Sequence, residues 1–464
     1  MFSFTRRDLL KTTSCGFGYL ALAGLMNSLA ARESRGATSD SNNPLSPREP
    51  HFTPRAKRVI FMFMQGGPSH VDMLDHKPQL EVDDGKAAGQ GRGNRKLMKS
   101  PWKFPASGQS GLPISELLPN LAKHADDLCI LNSLYTDLPN HPQASVQMHT
   151  GSFQFVRPSI GAWVLYGLGT QNQELPGFIT INPIGRIGGA QNYGSAFLPA
   201  AYQGTRIGGE GENLARASIP NISAAGLSRD QQRRQLDLVQ SLNRERLAED
   251  KVNSQLEGII ESYELAFRMQ SAVPRLMDTS DETQSMLDEY GVSGAGPMAN
   301  FGRQCLLARR FAEAGVRFIE LSLPGWDQHQ QLRNRLAANC SAIDQPMAAL
   351  LADLKRRDML KDTLVVWGGE FGRTPHAQNA DGRDHNATGF SMWMAGGGVK
   401  GGLRYGETDE HGIKAEVDKM HVHDLHATIL HLLGMDHTRL TFRYSGRDFR
   451  LTDVHGVVAE KILA

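Results

Sequence analysis

The stretch Arg58-Val59-Ile60-Phe61-Met62-Phe63-Met64-Gln65-Gly66-Gly67-Pro68 decides the fold. An unbroken apolar run from Val59 to Met64, stopped by two glycines and a proline, reads as a strand buried on both faces, as in a parallel sheet. Two later stretches repeat the pattern with a helix in front. Asn300 to Ala314 has helical spacing through Leu306, Leu307 and Phe311, turns at Gly315, and re-enters as Val316-Arg317-Phe318-Ile319-Glu320-Leu321. Met347 to Arg357 is again helical, and Thr363-Leu364-Val365-Val366-Trp367 runs as a strand into Gly368-Gly369. Helix, strand and Gly-rich loop in recurring order predict an α/β fold with a mostly parallel central sheet. Its functional loops belong at the carboxyl ends of the strands.

Outward from these units the chain changes character. Leu227 to Tyr290 is rich in Gln, Arg, Glu and Leu and reads as long amphipathic helices, a helical insertion without the sustained heptads of a coiled coil. Asp83 to Ser110, rich in Gly and Lys, reads as a surface loop. Residues 32–56 are polar and Pro-rich and read as a linker, which leaves 57–464 as the folded domain. Residues 1–31 carry Arg6-Arg7, an apolar stretch from Cys15 to Met26, and then Asn27-Ser28-Leu29-Ala30-Ala31, the three regions of an export signal. They resemble a twin-arginine leader, with an uncleaved N-terminal membrane anchor as the alternative, although the apolar stretch is shorter than the roughly 20 residues of a membrane helix. The mature chain is therefore expected outside the cytoplasm, without a membrane span.

The 464 residues carry 50 Lys plus Arg against 49 Asp plus Glu, a net charge of +1 that offers no bulk attraction for polyanions. Nucleic acid is not an expected partner. Four cysteines without close spacing exclude a CxxC zinc site, and with Cys15 in the leader they allow at most one disulfide. The 16 His and 48 Gly instead suit loops that gather side chains on a metal.

Four polar clusters follow strands or sit in Gly-rich loops: Gln65 to Asp72 with His70, Asn140-His141 to Ser145, Pro324-Gly325-Trp326-Asp327-Gln328-His329, and Gly368-Gly369-Glu370-Phe371-Gly372-Arg373 with His385 beyond. Any one of them is ordinary turn chemistry. At successive strand ends of one sheet they amount to mixed imidazole and carboxylate ligands, which suit zinc or another first-row metal, whereas magnesium or calcium prefers oxygen.

Asp362-Thr363-Leu364-Val365-Val366-Trp367-Gly368-Gly369-Glu370-Phe371-Gly372 resembles the strand and metal loop of the alkaline phosphatase and sulfatase superfamily. His385 ahead of Ser391-Met392-Trp393-Met394-Ala395 resembles its late metal-binding His, and Val422 to Gly434 its terminal helix. With the leader, the Gly-Trp-Asp-x-His motif and the ending Gly446 to Asp453, the chain is similar to the DUF1501 family of exported sulfatase-like proteins. The resemblance implies an alkaline phosphatase-like sandwich, one or two divalent ions, and a phosphate or sulfate ester substrate. It implies Asp327, His329 and His385 as ligands, with Glu370 in the place of the superfamily's Asp and Phe371 where an imidazole would stand. Gln65 replaces the usual Asp after the first strand, so Asp72 or His70 would have to compensate. No C-x-P-S-R motif occurs, which excludes a formylglycine nucleophile.

The coherent chemistry is metal-assisted ester hydrolysis with zinc expected, and calcium, magnesium or manganese as alternatives. His141 is a candidate acid, base or imidazole nucleophile, and Ser145 the nearest hydroxyl, out of register. Arg373 is a candidate fork for anionic ester oxygens or else a structural ion pair. His421, His423 and His426 read as helix-end packing ahead of ligation. The expected substrate is an anionic small molecule or a glycan ester. The rival class is a catalytically decayed metal-binding or structural envelope protein, and a weaker third is an isomerase or phosphomutase.

Overall fold

A computed structural model describes residues 43–89, 95–215, 226–249 and 254–464. The expected leader lies outside the described residues. The strands that position the site are β1 (Arg58–Met64), β2 (Leu128–Tyr135), β3 (Phe178–Ile181), β4 (Thr205–Ile207), β5 (Phe318–Leu323), β6 (Thr363–Gly368), the hairpin strands β7 (Gly372–Gln378) and β8 (Gly382–Asn386), then β9 (Phe390–Ala395), β10 (Leu403–Tyr405) and β11 (Met420–His421). All but the hairpin join one nine-stranded sheet in the order β10-β2-β9-β6-β1-β5-β3-β4, with β11 also on β2. Only β9 runs against its neighbours β2 and β6. In register, Phe61 of β1 lies between Glu320 of β5 and Val366 of β6.

The expected apolar strand is the centre of that sheet, and Val59 to Met64 are all buried. The longer helices among the described residues are α1 (His141–Thr150), α2 (Ile160–Leu168), α3 (Arg229–Glu249), α4 (Ser254–Met277), α5 (Gly296–Glu313), α6 (Leu332–Arg356) and α7 (Val422–Leu432). Val59 and Phe61 of β1 meet Met148 of α1, Ile160 of α2 and Leu425 and Ile429 of α7 around a small apolar void. α3 and α4 occupy the stretch expected as a helical insertion, held together by Arg233, whose Nη1 and Nη2 each donate to Glu264 at 2.8 Å.

Two expectations need correction. α6 begins at Leu332, well before Met347, because Pro346 lies inside the helix and does not end it. Part of the expected linker, residues 43–56, is packed: Leu45 is buried, Arg48 stacks over the Tyr166 and Tyr202 rings, and the backbone N–H groups of Arg55 and Ala56 donate to Leu432 O. No disulfide forms among the described residues, since Cys129, Cys305 and Cys340 are separate buried thiols. No helix among the described residues is long and apolar enough to cross a membrane.

Candidate metal centre

Three segments of the chain converge on one point. The loop after β5 brings Asp327 and His329, β8 brings His385, and the first residue of α1 brings His141. One ligand atom from each of these four side chains lies within 4.8 Å of all the others. The focus is Asp327 Oδ1, which lies 2.9 Å from His329 Nε2, 3.2 Å from His141 Nε2 and 3.3 Å from His385 Nε2. His329 Nε2 and His385 Nε2 are 2.9 Å apart.

Each imidazole turns its other nitrogen to a fixed acceptor. His141 Nδ1 donates to Glu370 Oε1 at 2.6 Å, His385 Nδ1 to Pro139 O at 2.8 Å, and His329 Nδ1 to Gln378 Oε1. Those partners assign the Nδ1–H tautomer to all three rings and leave three Nε2 lone pairs facing a carboxylate oxygen. Such an arrangement repels itself unless a cation or added protons fill it. His141 Nε2 is buried and has no hydrogen-bond partner of good geometry, as expected of a ligand atom awaiting an ion. Three imidazoles and one carboxylate, each imidazole oriented by an outer acceptor, fit a zinc-type centre. The Asp327 side chain is 43% exposed, so the centre opens to solvent on that side.

The electrostatics carry the same signature. Burial lowers the His141 pKa, but the adjacent carboxylates of Asp327 and Glu370 outweigh it and raise the value to about 9. Burial likewise favours a neutral Asp327, yet the nearby imidazoles of His141 and His385 and the Arg373 guanidinium hold its carboxyl well below the usual carboxylate range.

Glycines set the spacing at two points. Gly66 adopts φ +122°, and a Cβ there would sit 2.5 Å from Asp327 N, so only glycine lets the β1 loop lie against Trp326 and Asp327. A Cβ on Gly382 would overlap His329 O, so the β7–β8 hairpin closes on the His329 segment only through that bare backbone.

The remaining residues singled out from the sequence fall elsewhere. Glu370 is fully buried behind His141, where its two carboxylate oxygens accept from Gly66 N at 3.0 and 3.1 Å. Arg373 is buried with its guanidinium spent on Asp327 Oδ1 at 2.6 Å and on the carbonyls of Gly66, Gly67, Trp326 and Arg383, so no donor faces outward to an ester. Asp72 pairs with Arg383, at 2.6 Å to Nε and 3.0 Å to Nη2, and both side chains are fully buried. His70 Nε2 donates to Gly412 O at 2.8 Å. Neither Asp72 nor His70 joins the four-residue group, so neither compensates for Gln65. Ser145 lies one turn after His141 on α1 and is fully buried, with Oγ accepting from Asn192 Nδ2 at 3.2 Å. Phe371 offers no ligand atom, and its ring stands 4.7 Å from that of His141.

His421 caps α7, its ring accepting from His423 N at 3.2 Å while Asp424 Oδ2 accepts from His421 N at 2.8 Å. His423 and His426 donate to Gly151 O and Met148 O, each at 2.7 Å. These three are packing groups, as their place at a helix start suggests. The outer acceptors Gln378 and Pro139 were not singled out from the sequence, and nothing in their local pattern marks them. α1 itself carried a signal: Asn140 before the helix, Pro142 in its first turn, and Gly151 at φ +70° after it.

No curated protein matches the chain. Among solved structures it is similar to Ps i-CgsB (11% identity, TM-score 0.37, 82% of this chain and 72% of that one) and to the PsFucS1 sulfatase from Pseudoalteromonas sp. (13%, 0.35, 85% and 74%). It is also similar to the alkaline phosphatase from the Antarctic bacterium TAB5 (12%, 0.31, 78% and 96%). A family model, described as a protein of unknown function (DUF1501), matches residues 56–463. Spanning nearly all of the domain from just before β1 to the last residues, that match places the chain in the DUF1501 family.

Proposed function

We propose that the protein is an exported metal-dependent hydrolase that cleaves phosphate or sulfate esters of an anionic small molecule or glycan at the His141–Asp327–His329–His385 centre. The observation that carries this reading is the convergence of three Nε2 atoms and one carboxylate oxygen from the loop after β5, the hairpin strand β8 and the start of α1. His141, Asp327, His329 and His385 would hold a divalent ion, zinc by the donor set, whose positive charge would be available to polarise an ester oxygen and to acidify water. The chain's own groups do the rest. Arg373 fixes Asp327 in place and balances its charge. Gln378, Pro139 and Glu370 keep the three rings turned inward. α1 opens at the centre with His141, and the positive end of its dipole favours an anion there.

The second reading is a metal-binding or structural envelope protein without turnover. It is favoured by one observation: no Ser, Thr or Cys side chain among the described residues hydrogen-bonds any of the four centre side chains, and Ser145 is engaged by Asn192. Zinc-loaded protein assayed separately on an aryl phosphate and an aryl sulfate tests the two. Hydrolysis of either ester, abolished by a chelator and by Asp327→Ala, is the expected result. Tight metal with no turnover of either ester would overturn the hydrolase reading in favour of the second.

A further inference from the structure

We infer that Glu370 serves this centre as a positioning residue acting through His141, and not as a metal ligand. The inference rests on the metal-centre reading above and deepens it. The carboxylate lies behind the imidazole: Oε1 accepts from His141 Nδ1 at 2.6 Å, on the side of the ring opposite the Nε2 that faces Asp327, His329 and His385. An ionised carboxylate is an acceptor only, so this bond fixes the proton on Nδ1 and leaves the Nε2 lone pair for an ion. A full negative charge on that proton makes the imidazole a stronger donor to a metal than the neutral amide of Gln378 or the carbonyl of Pro139 makes His329 or His385.

Glu370 is built to hold this position. Its side chain is fully buried, and Gly66 N donates to both of its oxygens, so the carboxylate cannot swing toward the centre without abandoning that backbone donor. Gly66 in turn is wedged against Trp326 and Asp327, which ties the orienting carboxylate to the same loop contact that places the ligand carboxylate. The Phe371 ring, tilted 33° to His141, flanks the imidazole and restricts its rotation.

The test is cobalt(II) binding, read by competition with a chromogenic chelator and by the visible absorption of the bound ion, in the parent, Glu370→Gln, His141→Ala and the double variant. Glu370→Gln keeps the shape of the side chain and removes its charge. It is expected to weaken cobalt binding about ten- to a hundredfold and to shift the absorption bands while keeping tetrahedral intensity. In the His141→Ala background the same change should add no further loss, because the imidazole it acts through is gone. Glu370→Asp retains the charge but draws it back from Nδ1 by one methylene, and should also weaken binding. An unchanged affinity and spectrum in Glu370→Gln would overturn the inference while leaving the centre standing. A further loss on top of His141→Ala would make Glu370 a direct ligand and overturn it equally. Failure of the parent to bind cobalt would instead sink the metal-centre reading on which both depend.

Discussion

At the scale of single residues, the centre is organised around one oxygen, Asp327 Oδ1, with three imidazole nitrogens within 3.3 Å of it. In the metal-free chain a proton takes the place of the ion, because the His141 pKa is raised to about 9, burial being outweighed by Asp327 and Glu370. Metal must displace that proton. At about pH 7.5, zinc binding should release about one proton per chain, read from calorimetry in buffers of different ionisation heat; zero release would contradict the protonated state. Asp72 makes the opposite prediction. Its buried pair with Arg383 is structural, so Asp72→Ala should cost about 3–5 kcal/mol in urea unfolding and leave the metal content of the folded fraction intact. Asp327, His329 and His385 stood in polar loop clusters of the sequence, and it was the family resemblance that implied them as ligands. The positions of His141 and Glu370 were not legible: a carboxylate beside a Gly-rich strand end looks the same in sequence whether it faces an ion or the back of an imidazole.

At the scale of elements, the buried strands β1, β5 and β6 were legible because continuous apolar runs have no other stable place. α1 was not legible as a helix, since its polar residues resemble site chemistry and mask its cap signals, Asn140 and Gly151. That element matters most, because it delivers an imidazole to the centre from beyond the metal loop. The early start of α6 escaped for a different reason: Pro346 reads as a helix breaker, yet this helix continues through it. The junction of β1 with the segment after β5 rests on Gly66. Gly66→Ala would put a Cβ 2.5 Å from Asp327 N at φ +122° and should destabilise the fold by about 1–3 kcal/mol, with weaker metal binding as the loop shifts Asp327. Unfolding and chelator competition on the same sample check both effects, and a variant matching the parent in both would show that the loop tolerates the side chain.

At the scale of the whole molecule, several imidazoles are locked away in neutral form, and acid should find them. His426 on α7 is fully buried, and that burial lowers its pKa from 6.5 to about 3 while Met148 O accepts from its Nε2. The unfolded chain therefore binds a proton that the folded chain refuses between those two values. This contribution to stability is complete above pH 6.5 and is lost as the pH falls toward 3, with a slope of up to about 1.4 kcal/mol per pH unit. The urea midpoint of His426→Gln should fall less steeply with acid than that of the parent over this window. Parallel profiles would show that His426 already binds its proton in the folded state.

The domain as a whole brings the loop after β5, the hairpin strand β8 and the start of α1 to one point, and the most direct test of what that convergence is for is metal stoichiometry. Purified protein loaded with zinc and passed through gel filtration should retain about one ion per chain, while Asp327→Ala and His385→Ala, folded by circular dichroism, should retain far less. A parent that keeps no ion, or variants that keep as much as the parent, would contradict a metal centre at His141, Asp327, His329 and His385.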